Sequence, residues 1–291
     1  MTDRKLKQEW IELYDNFTHG TMSRRLFMER LAKAAGGAAA AAALVPVLQN
    51  NYAEAAIVPE DDPRLVTEMA TYEVDGVTMS GYLARPKGDG KLPAVIVIHE
   101  NRGLNPHIQD VARRMALEGF LAFAPDALSP VGGTPADEDK AREMIYELDA
   151  EATVARIAAA VPFLAAHSAS TGKVGAIGFC WGGGMVNEVA AAGTGLAAGV
   201  PYYGRQLPAD QVPEISAPLC LQYAGLDTRI NEGIDAYVAA LEANDKTFEI
   251  FIYEGANHAF NNDTNAARYD EHAAELAWGR TVDFLKRHLG S

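Results

Sequence analysis

The spacing of apolar residues alternates along this chain between short strand-like runs and longer amphipathic stretches. TYEVDGVTMSGYLARP (71–86) alternates with period two on either side of Asp75-Gly76, and an Asp-Gly pair between two such runs predicts a tight hairpin. PAVIVIHE (93–100) is almost continuously apolar, the pattern of a strand covered on both faces. Runs of strand length recur at LAFAPD (121–126), KVGAIGF (173–179), GLAAGVPYYG (195–204), PLCLQYAG (218–225) and FEIFIYEG (248–255). Helical spacing appears in HIQDVARRMALEG (107–119), GGMVNEVAAA (183–192), EGIDAYVAALEAN (232–244) and AARYDEHAAELAWGRTVDFLKRHL (266–289). Residues 132–167 predict two further helices meeting near Asp149. About eight strands with intervening helices predict an α/β fold: a doubly wound, mostly parallel sheet with an antiparallel start, in one domain over 57–291.

Residues 1–56 follow a different pattern. SRRLFM (23–28) sets paired arginines before an apolar pair, AKAAGGAAAAAALVPVL (32–48) is a run of small apolar residues, and AEA (53–55) resembles a signal-peptidase site. Together they predict a twin-arginine export signal and a periplasmic or otherwise exported protein. The run is too short and too weakly apolar for a stable transmembrane helix. The long stretch before the arginines, and Glu29 just after the motif, favour the alternative. That alternative is a helical arm on a cytoplasmic protein, with WIELYDNF (10–17) packing as an amphipathic turn or two.

Composition narrows the partners. With 39 acidic and 25 basic side chains the net charge is −14, which argues against nucleic acid and against an anionic membrane surface. The two cysteines, Cys180 and Cys220, cannot alone build a metal cluster or a disulfide framework. Cys220 sits inside an apolar run and reads as core packing. HENRG (99–103) is not HExxH, and neither a phosphate-binding loop nor a dinucleotide fingerprint is present. No metal or organic cofactor is therefore expected.

Ligands of such sheets collect at the carboxyl ends of the strands. There GFCWGGG (178–184) places Cys180 between glycines, the G-x-C-x-G form of a nucleophile elbow, where a strand breaks into a helix and leaves the central side chain uncovered. A helix N-terminus behind the thiol favours its thiolate. Asp227 and His258 each follow a later strand, giving the order nucleophile, acid, histidine. In that constellation His258 takes the thiol proton and Asp227 fixes the imidazole tautomer. The backbone N–H of Trp181 supplies one oxyanion donor, and the loop HENRGLN (99–105) supplies a second, assigned to Asn101.

HENRGLN, GFCWGGG, the GLD containing Asp227 and the NHAF containing His258 together resemble the dienelactone hydrolase family of α/β-hydrolases, over about residues 65–290. The resemblance implies an α/β-hydrolase fold, hydrolysis of small-molecule esters or lactones, and a monomer or homodimer. It also implies that Glu100 pairs with the resting cysteine and helps to activate it. Members that open dienelactone hold the substrate carboxylate with an arginine four residues beyond the catalytic histidine. Here that residue is Asn262, so the resemblance implies ester or lactone hydrolysis without pointing to dienelactone. Arg142 and Tyr146, four apart on one helical face, and Arg205 after YYG are the remaining candidates for substrate contact. The rival class is a thiol-based redox or ligand-sensing protein on the same scaffold, which would need no ordered aspartate and histidine.

Overall fold

A computed structural model describes residues 6–20, 22–52 and 56–290. Its strands are β1 (Leu65–Val74), β2 (Val77–Pro86), β3 (Leu92–Ile98), β4 (Leu121–Pro125), β5 (Ser170–Phe179), β6 (Ala198–Tyr202), β7 (Leu219–Ala224) and β8 (Phe248–Tyr253). Three helices precede them: α1 (Gln8–His19), α2 (Arg24–Ala35) and α3 (Ala38–Leu48). Within the sheet region follow α4 (Pro106–Leu117), α5 (Glu138–Glu147), α6 (Ala150–Ala158), α7 (Ala160–Ala165) and α8 (Trp181–Ala191). The chain closes with α9 (Thr228–Asn231), α10 (Ile234–Ala243) and α11 (Glu271–Leu289).

The strands form one eight-stranded sheet in the order β1-β2-β4-β3-β5-β6-β7-β8. Pairing is antiparallel through β1, β2 and β4 and parallel from β4 to β8. The hairpin turns where its sequence predicts, with Asp75 and Gly76 both at positive φ (51° and 75°), as a type I′ turn requires. Both sheet faces are covered. One core packs β3 and β5 residues such as Ile96 and Ala176 against α5 to α8 and α10; the other sets Val95, Val97 and Ile177 against α4 and α11. This explains the continuous apolar runs of β3 and β5, whose side chains are buried on either side. This architecture is the expected α/β-hydrolase fold.

Two boundaries differ from the sequence reading. The run 195–204 is strand only over Ala198–Tyr202, because Gly195 takes a positive φ of 82° and the chain enters the sheet late. Residues 132–167 yield three helices. Asp149 does separate α5 from α6, its carboxylate capping the Ala152 N–H, and a second break falls at Ala159.

Helices α1 to α3 build a small core of their own. Ile11, Tyr14 and Phe17 of α1 pack against Phe27 and Leu31 of α2 and Ala41 and Leu48 of α3. Phe27, from the paired-arginine motif, is 2% exposed and stacks on Phe17 at 4.7 Å. Arg24 pairs with Asp139 at 2.5 Å, whereas Arg25 stays in solvent. The apolar run does not continue as one helix: α2 and α3 meet at 111°, where Gly36 and Gly37 both take positive φ. No single helix among the described residues is long and apolar enough to cross a membrane. The AEA motif at 53–55 lies outside the described residues. Directly after it, the Asp110 carboxylate accepts the N–H groups of Ile57 and Val58, clamping the connection to α4.

Candidate active site

Cys180 sits between β5 and α8 with φ 57° and ψ −114°, a conformation that an L-residue holds only when its surroundings enforce it. The glycines permit the approach. A Cβ on Gly182 would lie 2.4 Å from the carbonyl oxygens of Ile98 and His99, and one on Gly178 would lie 2.2 Å from the Gly182 oxygen. Trp181 is the first residue of α8, so its N–H has no intrahelical acceptor. Its ring stacks on His99 (centroids 5.3 Å apart, 12° between planes). Nε2 of His99 accepts the Ala127 N–H at 3.1 Å, and its Nδ1 lies 2.6 Å from the Glu100 carbonyl oxygen. Burial lowers the pKa of His99, in keeping with a neutral ring protonated at Nδ1.

Asp227 and His258 converge from the ends of β7 and β8. One carboxylate oxygen of Asp227 caps α9 through the Ile230 N–H at 3.2 Å; the other lies 2.5 Å from His258 Nδ1. That leaves Nε2 of His258 facing the thiol side, buried and without a hydrogen-bond partner. Burial alone would make His258 a weaker base, but Asp227, Asp15 and Cys180 outweigh it and raise its pKa to about 10.

The unexpected member is His19, at the end of α1. Its Nε2 lies 3.1 Å from Cys180 Sγ, and its Nδ1 meets the Asp15 carbonyl oxygen and the Thr18 hydroxyl, each at 3.0 Å, with an Asp15 carboxylate oxygen also 3.0 Å away. Its ring meets that of His258 edge-on at 4.4 Å. Burial pushes the Cys180 thiol up, but the two imidazoles more than offset this and bring it down to about 6. Burial likewise disfavours a charged His19, yet Cys180 and Asp15 leave its pKa raised. Asp15 is itself held well below the usual carboxylate range by His19, His258 and Arg268, against the effect of burial. These shifts favour a thiolate beside imidazoles that each have a carboxylate close by. Cys220, by contrast, is fully buried in β7 and pushed up to about 12 by burial.

The remaining sequence candidates divide. Glu100 is buried beside Cys180, but its carboxylate accepts a hydrogen bond from Asn262 Nδ2 at 3.0 Å. It is His19, not Glu100, that lies within hydrogen-bond reach of the sulfur. Asn262, expected as a substrate contact, is buried and anchors Glu100. The Arg142 guanidinium lies over the Phe17 ring at 4.4 Å and donates to the Phe17 carbonyl, so it holds α1 in place. The Tyr146 hydroxyl accepts from Asn101 Nδ2, which also donates to the Thr18 carbonyl. Arg205 lies on the side of the thiol away from the arm. It borders a cavity of about 300 Å³ with Cys180, Trp181, Met185, Glu188 and Leu148. On the other side of the sulfur, the arm leaves about 10 Å³ between His19, Glu100 and Asn101, the smallest space a water can fill.

His19 and Asp15 escaped the sequence reading because 161 residues separate His19 from Cys180 and the arm carries no catalytic motif. The only local signal is the i, i+4 spacing of Asp15 and His19, which puts a carboxylate against an imidazole on one helix face. As for metal chemistry, His19, Cys180 and His258 each present a ligand atom, all within 4.8 Å of one another.

Comparison with known proteins agrees with this fold. Residues 79–289 match the model of the dienelactone hydrolase family, and residues 1–37 match a model described as YqhI-like. A "Putative carboxymethylenebutenolidase" of Escherichia coli K12 is 33% identical over 264 residues, covering 83% of this chain and 97% of the relative. A "Putative hydrolase fragment YghX" of the same organism is 51% identical over 109 residues, 36% of this chain and 93% of the fragment. Among solved structures, a "Putative Dienelactone Hydrolase" from Klebsiella pneumoniae superposes with a TM-score of 0.70 at 29% identity, over 77% of this chain and 99% of its own. A family match over more than half of the chain, on the α/β-hydrolase sheet just described, makes this protein a member of the dienelactone hydrolase family.

Proposed function

We propose that the protein hydrolyses small esters or lactones through a thiol-acyl intermediate on Cys180. The observation that carries this reading is the strained elbow, which presents a thiol of lowered pKa to His258 and Asp227 and to an open 300 Å³ cavity. In the proposed sequence the Cys180 thiolate attacks the acyl carbon, and the developing oxyanion is held by the backbone amides of Trp181 and Asn101. His258, oriented by Asp227, gives its proton to the leaving alkoxide. It then takes a proton from water, and the resulting hydroxide cleaves the thioester and frees the acid. Arg205 at the cavity edge suits a substrate carrying negative charge. Glu100, fixed by Asn262, adds negative charge beside the thiol, and the directly activating group in this resting state is His19.

The reading is tested by turnover of a panel of activated esters and lactones. Cys180→Ala should lower turnover by at least about 10³-fold, as removal of a nucleophile does in comparable hydrolases. Wild-type turnover in that variant would remove Cys180 from the role.

We also propose that residues 8–48 stay with the enzyme as an arm. Support comes from the arm's own core, from its bonds to the body (Gln8 to Asn257 at 2.6 Å, Asn265 to the Leu48 carbonyl at 2.8 Å), and from His19 at the thiol. The competing reading, twin-arginine export with cleavage near Ala56, is decided by the first residue of the protein isolated from its native cell. A start at Met1 or Thr2 keeps the arm, and a start near Ala56 removes it.

A further inference from the structure

We propose that His19, Cys180 and His258 form a binding site for a thiophilic divalent cation of the zinc class, assembled only when the arm is docked. A hydrolytic triad needs one imidazole, and His258 supplies it. A second imidazole 3.1 Å from the same sulfur, backed by an aspartate of its own, exceeds what acyl transfer requires. It does meet what a metal site requires. Three soft or borderline donors, one sulfur and two nitrogens, lie within 4.8 Å of one another. Each histidine has its Nδ1 held from behind, that of His258 by the Asp227 carboxylate at 2.5 Å and that of His19 by the Asp15 carbonyl oxygen at 3.0 Å with the Asp15 carboxylate also at 3.0 Å, the arrangement that orients metal-bound imidazoles. Nε2 of His258 is buried with no hydrogen-bond partner, so on loss of its proton it is free to act as a ligand.

The dimensions fit. Bonds of about 2.3 Å to sulfur and about 2.05 Å to nitrogen at a tetrahedral angle place the donors about 3.6 Å apart. The spread from 3.1 Å to 4.8 Å brackets that spacing, so small side-chain rotations close the site. All three donors border the same space of about 10 Å³, the size of one water, which completes the shell. Binding is dative: the thiolate and two neutral imidazoles donate, and protons carried by the histidines are released to solvent. The two cysteines gave no reason to expect a metal, because the third ligand comes from a helix outside the hydrolase fold.

One consequence rests on the hydrolase reading. A cation that holds the Cys180 lone pair and His258 Nε2 blocks ester turnover and pins α1 to the body. The test uses the full chain stripped with EDTA and then titrated with Co²⁺, following the thiolate-to-cobalt charge-transfer absorption in the near ultraviolet. The proposal predicts a band that saturates at one Co²⁺ per chain, is displaced by Zn²⁺ and not by Mg²⁺, and is absent in Cys180→Ser. His19→Ala should weaken binding at least about 100-fold, and Asp15→Asn about 10-fold. Circular dichroism confirms that the variants fold. No band in a folded chain whose Cys180 still reacts with a thiol reagent overturns the proposal, as does His19→Ala binding with unchanged affinity. Ester turnover of the EDTA-treated chain is measured in parallel. Turnover without metal binding defeats the metal site and leaves the hydrolase; metal binding without turnover on any substrate does the reverse.

Discussion

At the scale of single residues, the chemistry turns on how three buried charges share one space. Cys180 is held near 6 and His258 near 10, so the thiolate–imidazolium pair exists between those values. In EDTA-treated enzyme, kcat/KM for an activated ester should rise with pH through about 6 as the thiol ionises. It should fall through about 10 as His258 loses the proton it gives to the leaving group. His19→Ala removes a cation from beside the sulfur, so the acid limb should move to higher pH; an unmoved limb would mean that His19 does not tune the thiol. Much of this centre was legible in the sequence. Cys180, Asp227 and His258 follow strands, and an elbow has a local glycine signature. The contacts of Asn262 and Arg142 were not legible, because a side chain's partner depends on which distant loop reaches it. Asn262 meets Glu100 across 162 positions, and Arg142 meets Phe17 across 125.

At the scale of elements, the elbow and the arm carry opposite risks. The β5–α8 junction is packed backbone on backbone, so Gly182→Ala drives a methyl into the carbonyls of Ile98 and His99. Overpacking of this kind costs about 1–3 kcal/mol, and a lower denaturant midpoint should accompany lost turnover. The arm instead has a core separate from the two that flank the sheet. Phe27→Ala should therefore cost about 3–5 kcal/mol locally and act on the arm alone. Hydrogen exchange should show faster exchange across 8–48 while β3, β5 and β6 keep their protection. Equal loss everywhere would mean that arm and body unfold as one unit. Period-two and continuous apolar runs identified the strands well, since burial on one or both sheet faces writes itself directly into the sequence. Residues 24–48 were harder: an arginine pair before small apolar residues has the same pattern whether it is an export signal or two helices that turn at Gly36-Gly37 and bury Phe27.

At the scale of the whole molecule, a hydrolase body with cores on both sheet faces carries a helical arm across the mouth of its site. Access to the sulfur is one-sided in consequence: about 10 Å³ remains under the arm and about 300 Å³ on the side of Trp181 and Arg205. Against a net charge of −14, the wide side of the site carries Arg205 beside Glu188, so one cation faces substrate next to one carboxylate. The central claim is that Cys180 carries the acyl group, and intact mass measurement of the EDTA-treated chain quenched in acid during turnover of an activated ester tests it most directly. The account predicts one added acyl mass that maps to Cys180, is absent in Cys180→Ala and accumulates when His258 is replaced by alanine at a pH that keeps the thiolate. Turnover in the wild-type chain with no adduct under any quench, or an adduct that persists in Cys180→Ala, would contradict it.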